Sequence, residues 1–436
     1  MTQPLDTPNP SVSARAQPYR VLGLLCLVAG IAYIQRAAIS VPAGEIARDF
    51  ALADLARDMG RVQSAWYLGY ALLQLPSGWI ADRFGSRRTV AALCLLWSVL
   101  TLATGLCRGF WSLTILWGCM GAAQAGVFPC AAKAIGQIFP SNQRARASGL
   151  LAAGMAVGGA LAPVITAWAL ELLTPGADML GIYRWRLLLA IYALPGMLWA
   201  GLFLTLVSAK MLPAERLEAA SSAAPVDWTR MLRSVPLLLL CTQQFFRAAA
   251  MVFFLTWFPT FLQKTRDVSS LESGVLTTIA GIGGVLGSLS GGFVSDWLLA
   301  LTGNRRLSRQ GIAVAGMASC SLLIVLSYFA ADTRVSIALI ALGTFCATFG
   351  GVSGYTVAID FGGKHVATVF STMNMCGNIG AALFPVTAGW LVARTGDWNL
   401  ILFLFAGIIA LDAVCWAALN PQGTLFGDEH DLNHAG

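Results

Sequence analysis

Twelve long apolar segments, separated by short polar loops, run through almost the whole chain. Each is long enough to cross a bilayer as a helix, which needs about 20 mostly apolar residues. Their approximate bounds are 20–42, 62–82, 89–108, 111–136, 145–172, 185–208, 235–262, 272–297, 311–330, 335–358, 366–393 and 398–419. Only helices and closed barrels satisfy the backbone in hydrocarbon, and barrel strands are short and alternate in polarity. The pattern therefore predicts an all-α membrane protein with twelve transmembrane helices.

The longest polar connection separates the sixth apolar segment from the seventh. It covers residues 209–234 and combines charged residues, prolines and a run of small residues. We interpret it as a cytoplasmic linker between an amino-terminal six-helix bundle, 20–208, and a carboxyl-terminal six-helix bundle, 235–419. Polar tails at 1–19 and 420–436 complete the predicted organisation.

Composition agrees with the hydropathy pattern. The 436 residues are 57% hydrophobic and only 11% charged, whereas soluble domains are about 25% charged. The basic residues behind the net charge of +7 fall in short loops between helices, so we predict no nucleic-acid partner. The ten cysteines form no CxxC or Cys/His cluster, so no metal site or disulfide framework is indicated and no cofactor is expected.

Lys and Arg are more frequent in the loops on the side of the two termini than in the opposite loops, where acids offset them. The positive-inside rule then places both termini and the linker in the cytoplasm. We expect a multi-pass protein of the plasma (inner) membrane.

A loop motif after the second apolar segment is partly repeated after the eighth. The first copy reads Gly78-x-x-x-Asp82-Arg83-x-Gly85-x-Arg87-Arg88. The second contains Gly292 and Asp296 and lies about half a chain length later. Parallel repeats of six spans occur in transporters that bind their substrate between the two halves, near mid-membrane. The repeat predicts two bundles related by a pseudo-twofold axis.

The first copy resembles the loop signature of the major facilitator superfamily. This resemblance implies the major facilitator fold. In that superfamily the glycine lets two helices touch, and the acid and arginines form a latch on the cytoplasmic side. The resemblance implies such a gating role for Gly78, Asp82, Arg83, Gly85, Arg87, Arg88 and, in the second copy, Asp296.

Within the superfamily the chain is most similar to the anion:cation symporters, which handle sugar acids, other carboxylates and related anions. The similarity spans nearly the whole chain. It rests on Tyr33-x-x-Arg36, Tyr70-x-x-x-Gln74-x-Pro76-x-Gly78, Gly126-Val-Phe128-Pro129, Arg184-Trp185-Arg186, Thr256-Trp257-Phe258-Pro259-Thr260 and Asn374-x-x-Gly377-Asn378-x-Gly380. The positions that match residues lining or neighbouring the family's cavity are Tyr70, Gln74, Gln124, Trp257, Tyr355, Asn374 and Asn378.

Two arginines lie deep inside predicted spans, and a charge in the membrane marks a functional hypothesis. Arg36 lies about two thirds of the way through the first helix, and Arg247 lies midway through the seventh, its equivalent in the repeat. Guanidinium groups can bind carboxylate, phosphate or sulfonate through paired hydrogen bonds. We expect both arginines to contact one anion in a central cavity. The alternatives are a structural ion pair for Arg36, and snorkelling or pairing within the bundle for Arg247.

The chain departs from the sugar-acid symporters where they carry acids. Gln35 stands where the family typically has Asp, and Trp117 and Gln124 stand where it typically has Arg and Glu. Arg36 therefore lacks its usual acidic partners. The family's acids are thought to carry the co-transported proton, and glutamine cannot titrate. We predict uniport, anion exchange or coupling through another site instead of the family's proton symport.

Two further charges lie within predicted spans. Lys133, near the cytoplasmic third of the fourth helix, either snorkels or contacts substrate. Asp412 lies in the last helix, which is usually peripheral in this fold, and its role stays open.

These observations predict a monomeric secondary transporter that carries a small organic anion, such as a sugar acid or another carboxylate, by alternating access. Arginines in the first and seventh helices also resemble the organophosphate:phosphate antiporters, so an organophosphate or sulfonate remains an alternative. A drug or cation exporter would need an acidic cavity. A non-transporting anion sensor is a further alternative, against which the short linker and tail argue. The three histidines lie at boundaries or in the tail, and no nucleophile–base pair occurs, so no enzyme is predicted.

Overall fold

The computed structural model describes residues 12–139, 141–212, 233–362 and 366–422, and regular structure in these ranges is helical. The predicted tails and linker fall largely outside them. The helices are α1 Val12–Ala37, α2 Ala43–Asp49, α3 Leu55–Phe84, α4 Ser86–Gly105, α5 Phe110–Gln124, α6 Val127–Ile138, α7 Ser141–Leu180, α8 Arg184–Leu206, α9 Val235–Met251, α10 Phe253–Thr256, α11 Phe258–Thr265, α12 Ser270–Thr302, α13 Ile312–Phe329, α14 Thr333–Gly362, α15 Val366–Thr395 and α16 Leu400–Ala418. A π-helical turn, Arg306–Gly311, leads into α13.

Among the described residues, 11 helical segments are long and apolar enough to cross a membrane. They coincide with all the predicted spans except the second. That span corresponds to α3, which has 30 residues but a lower mean hydropathy because glutamines, tyrosines and small polar residues run along it. The chain is therefore an all-helical, multi-pass integral membrane protein.

Two predicted spans are broken. The fourth divides into α5 and α6 at a turn through Ala125 and Gly126, and the seventh divides into α9, α10 and α11. Pro259 lies in the first turn of α11 and has no N–H to continue the preceding helix. Irregular backbone at membrane depth is tolerated where neighbouring protein or a cavity covers it.

Small residues let the helices approach closely. A Cβ placed on Gly121 of α5 would lie 2.0 Å from the Trp66 carbonyl oxygen of α3. Without a hydrophobic force between helices in lipid, such close backbone packing holds membrane helices together.

The helices before residue 210 meet those after residue 234 mainly where α3 packs on α15 and α7 packs on α12. We call the end of the molecule that carries α2 the α2 end. At the α2 end, a Cβ on Gly60 would lie 2.6 Å from the Pro385 oxygen, and one on Gly389 would lie 2.2 Å from the Ala56 oxygen. Backbone therefore touches backbone across the two parts of the chain.

Hydrogen bonds add to this contact at the α2 end. The side chain of Gln63 donates to the Thr256 oxygen (3.2 Å), and that of Thr260 donates to the Ser40 oxygen (3.1 Å). Gln263 donates to the Val41 oxygen at 3.2 Å. The two parts of the chain are therefore tightly joined at this end.

Candidate functional site

Arg36 lies near the end of α1 inside a cage of aromatic rings. Its guanidinium carbon is 4.0 Å from the ring centroid of Trp66, 4.3 Å from that of Tyr33 and 5.3 Å from that of Tyr70. Trp66 and Tyr70 are one turn apart on α3 and stack with centroids 5.1 Å apart. Ring faces attract a cation within about 6 Å, so the cage holds the guanidinium without neutralising it.

The charge of Arg36 has no carboxylate partner among the described residues. Its Nε is buried without a hydrogen-bond acceptor, and the same holds for Trp66 Nε1 beside it. Buried polar groups in proteins nearly always have a partner. Unused donors around a positive charge are what an anionic ligand requires.

Two small cavities meet at Arg36. One is also lined by Leu255 and Thr256 from the second part of the chain. The other is lined by Tyr70 and Gln124. The structure therefore brings together three of the predicted site residues and adds Tyr33 and Trp66.

Arg247 lies on α9 in a similar aromatic and amide setting. Its Nη2 donates to Gln244 Oε1 at 2.8 Å and to the Tyr355 hydroxyl at 3.1 Å. The guanidinium also lies over the Tyr355 ring, 5.3 Å from its centroid. Within the described ranges, no carboxylate pairs with it and no contact joins it to Arg36. Neither arginine is therefore paired with an acid in the part of the chain that the structure describes.

The two glutamines that replace family acids bond to backbone within the first part of the chain. Gln35 Nε2 donates to the Tyr192 oxygen at 2.6 Å, and Gln124 Nε2 donates to the Ala32 oxygen at 3.3 Å. Both side chains are buried, and neither can take up a proton.

The remaining predicted binding residues differ in what they offer a ligand. Asn378 Nδ2 donates to Gln74 Oε1 at 2.9 Å and to the Asn374 oxygen at 3.0 Å, which links α15 to α3. Trp257 is fully buried, and its Nε1 donates to the Pro385 oxygen at 3.1 Å. Its only polar side-chain atom is therefore occupied in helix packing.

The loop motif is anchored within its own part of the chain. Gly85 adopts φ 80°, ψ 143° between α3 and α4, a conformation that favours glycine. Arg87 donates to the Leu204 and Val207 oxygens at the carboxyl end of α8, where a cation is favourable. Arg83 and Arg88 are exposed. The surroundings of Gly78 and the side chain of Asp82 lie outside the described part of the structure.

In the second copy of the motif, Asp296 pairs with Arg309 at 2.8 Å. This bond also stays within one part of the chain, so the latch role remains a prediction.

The two other intramembrane charges have different settings. Lys133 Nζ lies 3.5 Å from the Ala81 oxygen of α3. Asp412 lies in the last helix, yet its side chain is 0% exposed because α16 packs on α9 and α13.

A group of ion pairs at the α2 end was missed from the sequence. Arg184 Nε donates to Glu45 Oε1, and Arg186 Nε donates to Asp49 Oδ2, both at 2.7 Å. Trp185 Nε1 donates to the same Asp49 oxygen at 2.9 Å. These bonds fasten α2 to the start of α8. The sequence Arg184-Trp185-Arg186 and the two acids on a short helix were the available signal.

The chain matches the family model described as Major Facilitator Superfamily over residues 25–331. It is 29% identical over 416 residues to the probable sulfoacetate transporter SauU of Cupriavidus necator, covering 93% of this chain and 95% of that one. It is 28% identical to a hexuronate transporter of Bacillus subtilis, covering 90% and 92%. It is 26% identical to the probable galactarate/D-glucarate transporter GarP of Escherichia coli K12, covering 94% and 96%.

Among solved structures, the fold matches a bacterial homolog of the human lysosomal transporter Spinster, in an inward-facing and occupied conformation. The TM-score is 0.78, with 17% identity, covering 93% of this chain and 97% of that one. An inward-facing and unoccupied structure of such a homolog gives a TM-score of 0.70, with 19% identity, covering 94% and 95%. At these identities the likeness concerns the fold alone.

Proposed function

The chain belongs to the major facilitator superfamily, and from this premise we propose that it carries a small organic anion across the membrane by alternating access. Its relatives of the anion:cation symporter type are transporters of sugar acids and sulfoacetate. The protein is a secondary transporter and not an enzyme.

In the proposed architecture α3 also crosses the membrane, which brings the number of spans to twelve. Residues 20–208 and 235–419 form two six-helix bundles related by a pseudo-twofold axis, and the protein acts as a monomer. Both termini and the linker at 209–234 face the cytoplasm of a cell whose inner membrane holds the protein. Support comes from the eleven apolar helices and from α3, whose length matches theirs.

One observation carries the proposed binding site: Arg36 is caged by aromatic rings, has a buried Nε without an acceptor, and lacks an acidic partner among the described residues. A carboxylate or sulfonate oxygen would supply both the missing acceptor and the missing negative charge. Arg247 would contact the same anion from the other bundle. Around these two we place Tyr70, Gln124, Asn374 and Asn378, with Trp257 as a packing wall.

Sugar acids, other carboxylates and sulfonates are the proposed substrate class, because the named cargoes of the relatives share a small anionic head group. An organophosphate would suit the paired guanidinium groups equally well. A sensor that binds the anion without moving it is the remaining alternative.

Alternating access is supported by the closure of one end of the molecule. The α2 end is closed by backbone contacts and by hydrogen bonds between the two parts of the chain. With the termini in the cytoplasm, this conformation corresponds to an inward-facing state. In the opposite state we propose that the loop residues 78–88 and Asp296 latch the cytoplasmic side.

The test is a binding screen of sulfoacetate, a hexuronate, glucarate and an organophosphate on purified protein. At least one should raise the thermal midpoint of the wild type. Arg36→Ala and Arg247→Ala should each weaken binding at least about tenfold. Arg57→Ala, which removes an exposed arginine that pairs with Asp58, should bind like the wild type. Unchanged binding in both site variants would refute the two-arginine site.

A further inference from the structure

Asp412 is a buried acid that the proposed site does not use. It lies in α16 with 0% of its surface exposed. Both of its carboxyl oxygens are buried without a hydrogen-bond partner among the described residues. A buried charge without a partner is strongly unfavourable, and such a group takes up a proton instead. Asp412 is therefore built to be neutral in this conformation.

The charged and titratable groups that interact electrostatically with Asp412 come from three helices. The positive charge of Arg247 acts on Asp412 from α9, and Asp412 in turn acts on Cys320 of α13 and on Cys415 of α16 itself. The π-helical turn meets α16 farther along, where Gln310 donates to the Ala417 oxygen at 2.8 Å. In the described part of α15, no charged or titratable side chain acts on Asp412. Arg247 is thus the positive charge to which an ionised Asp412 would turn.

Further buried polar atoms without hydrogen-bond partners lie between Asp412 and α9. Trp416 Nε1, one turn farther along α16, and Gln243 Oε1, one turn before Arg247, are also buried without partners in the described ranges. A Cβ on Gly354 would lie 3.2 Å from Gln243 Nε2 and 3.6 Å from the Trp416 ring, so these two side chains adjoin the same backbone. The buried polar region therefore spans α9, α14 and α16.

We propose that Asp412 is the proton-carrying group that couples anion transport to proton movement. The inference rests on the proposed function, because it assumes that Arg247 contacts the transported anion. An ionised Asp412 and the anion would compete for one guanidinium. Protonation of a carboxyl oxygen of Asp412 removes the competitor and leaves Arg247 to the anion.

Binding of the proton and binding of the anion then favour each other, and this linkage is reciprocal. One proton and one anion enter together and leave together on the other side, where departure of the anion lets Asp412 ionise toward Arg247. In the present structure Arg247 bonds to Gln244 and Tyr355, and Tyr355 is 38% exposed. The Arg247 side of this pair therefore lies next to an exposed residue. Asp412 would thus take over the coupling role that Gln35 and Gln124 cannot perform.

The test compares two kinds of transport in liposomes that contain the purified protein, with labelled sulfoacetate and labelled glucuronate as probes. Counterflow at equal pH measures anion exchange without net proton movement. Net uptake under an inward proton gradient measures coupling, and one proton per anion can supply at most about a tenfold gain in accumulation per pH unit. We expect Asp412→Asn to abolish the gain from the gradient while it retains counterflow within twofold of the wild type. Asp412→Glu should keep part of the gain, and Cys415→Ala should keep all of it.

The proposal is overturned if Asp412→Asn still responds to the gradient, or if it loses counterflow and coupling together while remaining folded. It is overturned equally if wild-type protein in weak buffer takes up no proton on binding the anion, a measurement that needs no variant. Wild-type counterflow without any response to the gradient would reject the coupling role of Asp412 but would leave the proposed anion transport in place. An absence of wild-type counterflow with every anion tested would instead reject the proposed function.

Discussion

Gly389 of α15 decides how closely the two parts of the chain meet at the α2 end. A Cβ at this position would lie 2.2 Å from the Ala56 oxygen, and the obstacle is backbone that cannot rotate away. Overpacking of this kind costs about 1–3 kcal/mol. The cost applies only when the α2 end is closed, so Gly389→Val should shift the equilibrium toward the open α2 end by about 5- to 150-fold.

Spin labels provide the assay for this shift. Arg48 and Lys264 are exposed and line one groove at the α2 end, from the two different parts of the chain. Labels at these positions should give a short distance in protein that carries no other substitution. In Gly389→Val they should give an additional population at a longer distance. Gly407→Val is the matched control, because a Cβ at Gly407 meets nothing within 4 Å. An unchanged distance distribution, or an equal change in the control, would refute closure by backbone contact at Gly389.

Three further predictions concern binding and stability. Arg36→Lys keeps the charge but loses the planar fork, so anion affinity measured by titration calorimetry should fall about tenfold; an affinity equal to wild type would mean that only charge is recognised. Asp49→Asn leaves the half-buried Arg186 without its carboxylate and should lower the free energy of unfolding by about 2 kcal/mol, seen as a lower thermal midpoint; a midpoint within error of wild type would contradict this. Gly85→Ala forces a side chain into a glycine conformation and should cost about 1–3 kcal/mol of stability, with Gly407→Ala as the comparison.

The membrane character and the superfamily could be predicted from hydropathy and from placed motifs, and both are confirmed. The breaks in the fourth and seventh spans could not be predicted, because hydropathy is averaged over a segment and does not reveal a local turn such as that at Gly126. The cage around Arg36 was also missed, since the contacts of Trp66 depend on the rotation of α3 against α1. The burial of Asp412 could not be predicted for the same reason, because it depends on which face of α16 packs on α9.

For the proposed binding site, the type of residue at a position predicted the surroundings of Arg36 better than the match of a motif to the family's cavity predicted ligand contacts. The absence of acids at positions 35 and 124 correctly indicated an arginine without a carboxylate partner among the described residues. Trp257 matched the family's cavity in sequence, yet its ring is used between helices, because its indole N–H reaches the Pro385 oxygen. A motif identifies a position in a fold, whereas packing decides which atoms stay available to a ligand.

Counterflow of a labelled anion tests the central claim most directly. Liposomes with wild-type protein, loaded with unlabelled sulfoacetate or glucuronate, should accumulate the labelled anion transiently. The double variant Arg36→Ala/Arg247→Ala should show only the background of empty liposomes, and Arg57→Ala should match the wild type. Equal counterflow in the double variant and the wild type would contradict the account of a two-arginine anion site, and binding without counterflow in the wild type would identify a sensor instead.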